Sequence, residues 1–256
     1  MFVRNLISPR VADAIAEARV HLAAALRLAV LDQLEEGIDN HFTMTVPGCD
    51  GQYLILPYGL HWSEARASDM IVFDAQGRVL EGKQSSLELS AQCIHVPVHR
   101  ITGARVVLHT HQTWAMALNM LKNNRLLPAS QTAAFFHEQI AYDDDYTGLA
   151  ATLEEGARLA AAMGDRPIVF MRNHGVLVTG ATVAQAYRRL YRLERVCRNQ
   201  MLAMSTGQAL EVLSDEIAAR VQAPNPDDSH PRAERERLYF EAMMRVLDRE
   251  LPGYRD

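Results

Sequence analysis

The chain has 256 residues, of which 48% are hydrophobic, and its formal net charge is −5. This length and composition predict one large domain, or a domain with a tail, and the negative charge without a basic stripe excludes a general nucleic-acid surface. The three cysteines are odd in number and widely spaced, and no apolar run is long enough for a signal or a membrane span, so we expect a cytoplasmic protein without a disulfide framework.

Hydrophobic periodicity and turn residues predict alternating helices and strands. In chain order we expect a helix over 10–36, strands over 41–46, 52–56, 70–74 and 78–81, a helix over 88–101, a strand ending at the first histidine pair, a helix over 112–122, a strand over 132–136, a helix over 153–163, strands over 168–171 and 176–178, and helices over 183–203 and 231–249.

This order predicts an α/β fold, a three-layer α/β/α sandwich around a central mixed, largely antiparallel sheet. Residues 224–228 are rich in proline and aspartate, a composition that predicts a linker. We therefore divide the chain into a domain at 1–223 and a C-terminal linker and helix at 224–256. This last part is expected to pack on the domain or on a neighbouring subunit.

Three histidines form the pattern that is most informative about chemistry. His109 and His111 follow an apolar strand, and because strand side chains alternate, the two lie on the same face. His174 follows a second apolar strand and precedes Gly175, which permits close approach of the backbone. Three protein ligands with an open position are typical of a catalytic metal site. A structural role for histidines at strand ends is the alternative.

The segment from about Ser85 to Cys197 resembles the class II aldolase/adducin domain. A weaker match runs from Pro57 to Asp74, and residues 244–249 resemble one large aldolase-like branch of that family. The resemblance rests on His95-Val96-Pro97-Val98-His99-Arg100, His109-Thr110-His111, Leu127-Pro128 with Gln131, Tyr146-Thr147-Gly148 and Asn173-His174-Gly175-Val176-Leu177.

The resemblance implies that His109, His111 and His174 bind one divalent ion per subunit, zinc first, with manganese and iron as alternatives. It also implies a homotetramer with active sites between subunits. A metal-dependent lyase would use the ion as a Lewis acid that stabilises an enediolate. The chain has only two lysines, and neither lies near the histidine motifs, so a lysine-based aldolase is the weaker interpretation.

The usual acid/base glutamate of sugar-phosphate aldolases is missing at the matching position. Leu87 follows Ser85-Ser86, and Ala91 lies four residues before His95. Glu88 lies on about the same helix face as Ala91 and is the candidate replacement. His95 is either part of a buried polar network or a partner of the metal site. Gln131 lies near where some relatives carry a tyrosine acid, with Tyr142 and Tyr146 as alternatives.

The phosphate-binding segments of the family also differ in this chain. Asn40 and Gly59 are present, but Phe42, Tyr58 and Leu60 crowd the backbone that would bind a phosphate. A small, non-phosphorylated hydroxy- or keto-acid therefore fits better. The functions that remain are a metal-dependent aldolase-like lyase, an Fe(II)-dependent oxidative decarboxylase, and a non-catalytic module like the adducin head, which lacks the three histidines. We expect no nucleic acid or membrane partner.

Overall fold

The structure is a computed structural model that describes residues 8–82, 87–148, 152–224 and 229–256. Within these residues, eight strands form one sheet in the order β4-β3-β2-β1-β5-β8-β7-β6. All neighbouring strands are antiparallel except β6 and β7, which are parallel. The strands are β1 His41–Thr45, β2 Gln52–Ile55, β3 Ile71–Asp74, β4 Val79–Glu81, β5 Val106–Thr110, β6 Ile140–Asp143, β7 Ile168–Met171 and β8 Gly175–Gly180.

Helices cover both faces of this sheet. They are α1 Pro9–Leu31, α2 Leu89–Thr102, α3 Thr113–Asn119, α4 Gln131–Ala134, α5 Leu153–Met163, α6 Val183–Met204, α7 Asp215–Gln222 and α8 Arg232–Glu250. On strand β5, Val106 and Leu108 join the apolar cluster under α1, α3 and α6, while Val107 joins the cluster under α2 and α5. Burial of both faces of the strand confirms the predicted three-layer α/β/α sandwich with its mixed, largely antiparallel sheet.

Two predicted elements differ from the structure. The prediction of a strand over 132–136 is wrong, because this segment begins with the short helix α4. Ser130 caps that helix by accepting a hydrogen bond from the Ala133 amide at 3.1 Å, an arrangement typical of a helix start. The predicted helix over 10–36 ends earlier, at Leu31, and Gln33 follows with a φ of 56°. Strand β6 and helix α7 were not predicted.

The C-terminal helix α8 packs on α1 and α6 of the same chain. Tyr254, beyond its end, is fully buried, and its carbonyl accepts a hydrogen bond from the Ala67 amide at 2.9 Å. Arg27 on α1 donates to the carbonyls of Ala65, at 2.7 Å, and Pro252. Residues 225–228 of the predicted linker lie outside the described residues, as do Ser85 and Ser86. None of the helices described is long and apolar enough to cross a membrane.

Candidate metal centre

The three predicted metal ligands lie together at one end of the central strands β5 and β8. His109 is on β5, His111 follows that strand directly, and His174 lies in the tight turn between β7 and β8. Each offers one ligand atom, and these atoms all lie within 4.8 Å of one another. Asn173 gives the turn its shape through a φ of 57°, and the His174 amide closes it with a 3.0 Å hydrogen bond to the Met171 carbonyl.

Hydrogen bonds behind two of these rings determine which nitrogen faces the centre. His109 Nδ1 lies 3.0 Å from the Val176 carbonyl, and His111 Nδ1 lies 2.5 Å from a Glu36 carboxylate oxygen. Both partners accept, so both Nδ1 atoms carry hydrogen and both Nε2 atoms present lone pairs. These Nε2 atoms are only 3.1 Å apart. Two lone pairs at this distance repel unless a cation lies beside them, so the donor set fits a divalent metal ion.

Burial keeps the imidazoles of His109 and His174 neutral. It lowers the pKa of His109 well below its ordinary value and the pKa of His174 to about 4, with further lowering from neighbouring histidines. A proton shared between the His109 and His111 rings would require a charged imidazolium, which burial opposes at His109. Neutral imidazole is the form that binds a metal.

Close packing around His109 and His111 requires a glycine at position 175. A Cβ atom at this position would lie 2.7 Å from the Thr110 carbonyl oxygen, 2.8 Å from His111 Cδ2 and 3.1 Å from His109 Cε1. The sequence prediction of a close backbone approach after His174 therefore has a physical reason: β8 passes directly beneath the histidine pair.

Asn40 and Glu36 connect the end of α1 to the centre, and the sequence gave no sign of this role. The Asn40 side-chain oxygen accepts from the backbone amides of Glu36, at 3.1 Å, and His111, at 3.2 Å. Glu36 is itself exposed, while the His111 side chain is 21% exposed. The centre is therefore reachable from solvent on the side of Glu36.

Glu88 lies in a cleft beside this centre. It is the N-cap of α2, accepts a hydrogen bond from Ser90 Oγ, and interacts electrostatically with His111. Burial raises the pKa of its carboxyl. Ala91, in contrast, is fully buried in an apolar cluster with Tyr53 and Phe73. The interpretation that Ala91 marks the position of a missing catalytic carboxylate is therefore wrong, because a glutamate there would place its charge in that apolar cluster.

Most of the side chains that line the cleft are apolar. It lies between the end of α1, strand β1 and the segment over 57–62. Among the lining residues that the structure describes there is no lysine or arginine. The lining residues are Leu26, Ile38, Asn40, His41, Phe42, Ile55, Leu56, Pro57, Tyr58, Leu60, Trp62 and Glu88. A phosphate group would therefore find no cationic side chain here.

His95 does not reach the metal centre directly. It is fully buried and contacts His41, whose ring lies 4.9 Å from the ring of His109. His41 is a site residue that sequence reasoning missed. The signal was present, because His41 and Thr43 alternate on one strand, but the pairing of His41 with His109 across β1 and β5 is a long-range contact.

Gln131 stands apart from these groups. It is exposed at the start of α4, and no contact in the described part of the chain joins it to the three histidines. The hydroxyl of Tyr142 accepts a hydrogen bond from the Leu126 amide at 3.0 Å, away from the three histidines. Burial raises the pKa of Tyr142 to about 12. Tyr146 is exposed. A role for Gln131 at the site of a neighbouring subunit stays a prediction.

Known proteins resemble this chain along nearly its whole length. A Caulobacter vibrioides protein named provisionally as a class 2 aldolase is 33% identical over 253 residues, covering 96% of this chain and 95% of that protein. An aldolase II superfamily protein from Pseudomonas syringae has a crystal structure that superposes with a TM-score of 0.87 at 34% identity, covering 99% of each chain.

A third relative carries a different activity in its name. The 4-hydroxy-3-prenylphenylpyruvate oxygenase/4-hydroxy-3-prenylbenzoate synthase of Streptomyces roseochromogenus subsp. oscitans is 29% identical over 216 residues, covering 82% of this chain and 77% of that protein. The family profile described as the class II aldolase and adducin N-terminal domain matches residues 20–201. The chain therefore belongs to the class II aldolase and adducin family.

Proposed function

We propose that the protein is a metal-dependent, aldolase-like lyase that acts on a small, non-phosphorylated hydroxy- or keto-acid. The observation that carries this proposal is the cluster of His109, His111 and His174, in which two Nε2 lone pairs face each other at 3.1 Å. Membership of the class II aldolase and adducin family supports the same reaction class.

The three histidines would hold a divalent ion, with Glu36 and the Val176 carbonyl fixing the rings of His111 and His109. When bound, such an ion supplies Lewis acidity that stabilises negative charge developing on substrate oxygens. Solvent access on the Glu36 side leaves room for a substrate at the open face of the histidine set.

Glu88 is the residue that we assign to proton transfer. It borders the cleft beside the histidines, and burial raises the pKa of its carboxyl towards the range useful for acid/base catalysis. His95 would support the site through His41 rather than through contact with substrate.

The cleft has a volume of about 20 Å³, room for about one water molecule, so it bears on the substrate class only through the side chains beside the histidines. Its apolar walls include Phe42, Tyr58 and Leu60, and none of its described lining residues is a lysine or arginine. A phosphate needs cationic or backbone donors to offset its charge. A carboxylate and an adjacent carbonyl or hydroxyl can instead bind at the metal.

Elemental analysis of the purified protein tests the metal site. We expect one divalent ion per subunit, and we expect His174→Ala to lose it while remaining folded. His137→Gln, a histidine outside the cluster, is the matched control and should keep full occupancy. Full metal content in the His174 variant would show that the assignment is wrong.

A cleavage assay tests the reaction. Hydroxy- and keto-acids should release a carbonyl product, a chelator should abolish the release, and added zinc or manganese should restore it. Fuculose- and ribulose-type phosphates are the comparison substrates, and their turnover should be negligible. Faster cleavage of these phosphates than of every acid tested would contradict the substrate class.

Oxidative decarboxylation with Fe(II) is the second candidate, because one relative is named as an oxygenase and three histidines also suit iron. Oxygen consumption with an aromatic keto-acid, dependent on iron, would favour it over the lyase. Protein isolated without any metal would instead favour a binding module like the adducin head.

A further inference from the structure

His174 is held differently from the other two predicted metal ligands. Hydrogen bonds behind the rings of His109 and His111 fix those imidazoles, through the Val176 carbonyl and the Glu36 carboxylate. The ring of His174 packs against the other two imidazoles, with centroids 4.9 and 5.2 Å away. Among the residues that the structure describes, none makes a hydrogen bond to its ring nitrogens. The position of this ligand therefore depends on the backbone of its turn.

Asn119, the last residue of α3, bonds both sides of that turn. The turn lies between the paired strand ends at Met171 on β7 and Gly175 on β8. Asn119 is fully buried, and its Nδ2 donates to the Met171 carbonyl and, at 3.2 Å, to the Gly175 carbonyl. A side-chain amide nitrogen carries two hydrogens, so each carbonyl receives one. The Met171 carbonyl is also the acceptor that closes the turn from the His174 amide, at 3.0 Å.

The neighbouring Asn124 determines which way the Asn119 amide points. Asn124 is also fully buried, and its Nδ2 donates to Asn119 Oδ1 at 3.0 Å. Arg125 donates to Asn124 Oδ1 and so fixes the second amide as well. With the Asn119 amide reversed, its oxygen would face two carbonyl oxygens and its nitrogen would face the Asn124 nitrogen. Only the orientation that donates to the turn satisfies every group.

The same set of hydrogen bonds returns to the turn from the other side. Arg125 forms an ion pair with Asp144 at 2.7 Å, and Asp144 also accepts from Arg172 at 2.6 Å. Arg172 lies in the turn itself, two residues before His174. The bonds therefore close on the turn, and we call this set of residues the turn network. Its members are Asn119, Asn124, Arg125, Asp144 and Arg172.

Within the turn network, the buried amide of Asn119 is the part that should matter most. The side chains of Asp144 and Arg172 are 43% and 23% exposed, and an ion pair that is partly exposed contributes little. Asn119 is shielded from water, so the carbonyls of Met171 and Gly175 cannot replace its hydrogen bonds with water at no cost. All of these bonds are made by protein groups, so they do not require the ion.

From this geometry we infer that Asn119 is a positioning residue that holds His174 in place for the metal, acting only through the backbone of the turn. This inference rests on the metal site of the proposed function. A ligand that is fixed in advance loses less conformational freedom when the ion binds. Loss of Asn119 should therefore appear as weaker metal binding by protein that is still folded.

Asn119→Leu tests this role, because leucine is similar in size and has no hydrogen-bonding group. We expect zinc affinity to fall about 10- to 100-fold, the usual effect of removing an outer partner of a metal ligand. Competition with a chromophoric chelator measures the affinity. Thr179→Val is the matched control, since it removes a buried hydroxyl that donates to the Pro167 carbonyl at the other end of β7 and β8. It should keep full affinity, and equal affinities in the two variants would overturn the inference.

A double substitution shows whether Asn119 acts through His174. In the His174→Ala background, His109 and His111 remain as a weaker zinc site, and Asn119→Leu should not weaken that site further. Such non-additivity is the mark of two residues that act as a unit. A general loss of structure would instead reduce the affinity by the same factor with and without His174, and that result would contradict the inference.

NMR of the unsubstituted protein provides a test that does not depend on how a variant folds. In metal-free protein, both side-chain amide hydrogens of Asn119 should exchange slowly with solvent, because both donate to buried carbonyls. Rapid exchange would show that the turn is not held before the ion binds and would overturn the inference.

These measurements separate this inference from the proposed function. An unsubstituted protein without zinc affinity would overturn the proposed metal site and the role of Asn119 together. Normal zinc affinity that Asn119→Leu leaves unchanged would overturn the role of Asn119 alone. Because none of the measurements depends on turnover, absence of lyase activity would contradict only the proposed reaction.

Discussion

His111 is oriented by Glu36, a residue beyond the end of α1. The carboxylate accepts from His111 Nδ1 at 2.5 Å and leaves Nε2 free towards the other histidines. Carboxylate partners of this kind raise the basicity of a metal-binding imidazole and fix its ring. Because Glu36 is exposed, we expect its interaction with His111 to contribute to metal binding rather than to the stability of the fold.

Glu36→Gln should lower metal affinity about 10- to 100-fold, the usual effect of losing such a partner. The glutamine keeps the shape but removes the negative charge behind His111. Competition with a chromophoric chelator measures the affinity. Glu17→Gln, which changes an exposed acid on α1, should leave the affinity unchanged, and equal affinities for both variants would refute this role.

The close packing of α2 on α5 depends on Gly156. A Cβ atom there would lie 1.9 Å from the Cys93 carbonyl oxygen and 2.9 Å from Pro97 Cγ. The contact is with backbone, so a rotamer change cannot relieve it. Helix α2 carries Glu88 at its start and His95 within it, so the approach of the two helices also affects where these two residues lie.

Gly156→Ala should destabilise the protein by about 1–3 kcal/mol through overpacking. The direction of this change is informative, because helix propensity alone would make the alanine variant more stable by about 1 kcal/mol. Urea unfolding gives the difference. Ala162→Gly on the exposed face of the same helix is the control for propensity alone, and a stabilised Gly156→Ala variant would show that the helices can separate at little cost.

Local sequence patterns predicted most of the helices and strands. They failed where contacts between residues distant in sequence determine the structure. The spacing of His109 and His111 was sufficient to place both on one face, since strand periodicity is local. Strand β6 was missed because four residues ending in Asp143 carry little pattern of their own and are ordered by pairing with β7. His41 joins the site through its pairing with His109 across β1 and β5, which no local spacing reveals.

Several exposed side chains bear on whether the subunits of this protein associate. Large apolar side chains are exposed on several helices, among them Leu202 on α6, Ile217 on α7 and Leu238 on α8. Gln131, at the start of α4, is also exposed and lies outside the metal centre of its own chain. A neighbouring subunit would cover such surfaces and bring Gln131 to a second active site.

We therefore expect a homotetramer, as the family resemblance implied. Light scattering at micromolar concentration should give about four times the mass of the 28.6 kDa chain. Leu238→Glu should shift the mass downwards if α8 lies at a subunit boundary, because a buried charge without a partner opposes association. A monomer in the unsubstituted protein would contradict the assembly and with it a role for Gln131 between subunits.

Because several buried histidines are neutral in the folded protein, its free energy of unfolding decreases at acidic pH. Burial lowers the pKa of His41 to about 3 and of His99 to about 4, and it lowers the pKa of His95 as well. In the unfolded chain these side chains titrate near the ordinary value of about 6.5. Above that pH both states are neutral and stability is unaffected. Below it the unfolded state binds more protons, so folding free energy is lost as the pH falls towards the folded pKa values.

Each such histidine removes about 1.4 kcal/mol per pH unit between pH 6 and 5, and three together remove roughly 4 kcal/mol. Typical domains are stable by about 5–15 kcal/mol, so chelator-treated protein should unfold before pH 4. Urea unfolding at several pH values measures the slope. His99→Gln should reduce it by about 1.4 kcal/mol per pH unit. Equal slopes in the His99→Gln variant and the unsubstituted protein would show that acid unfolds the chain through other groups.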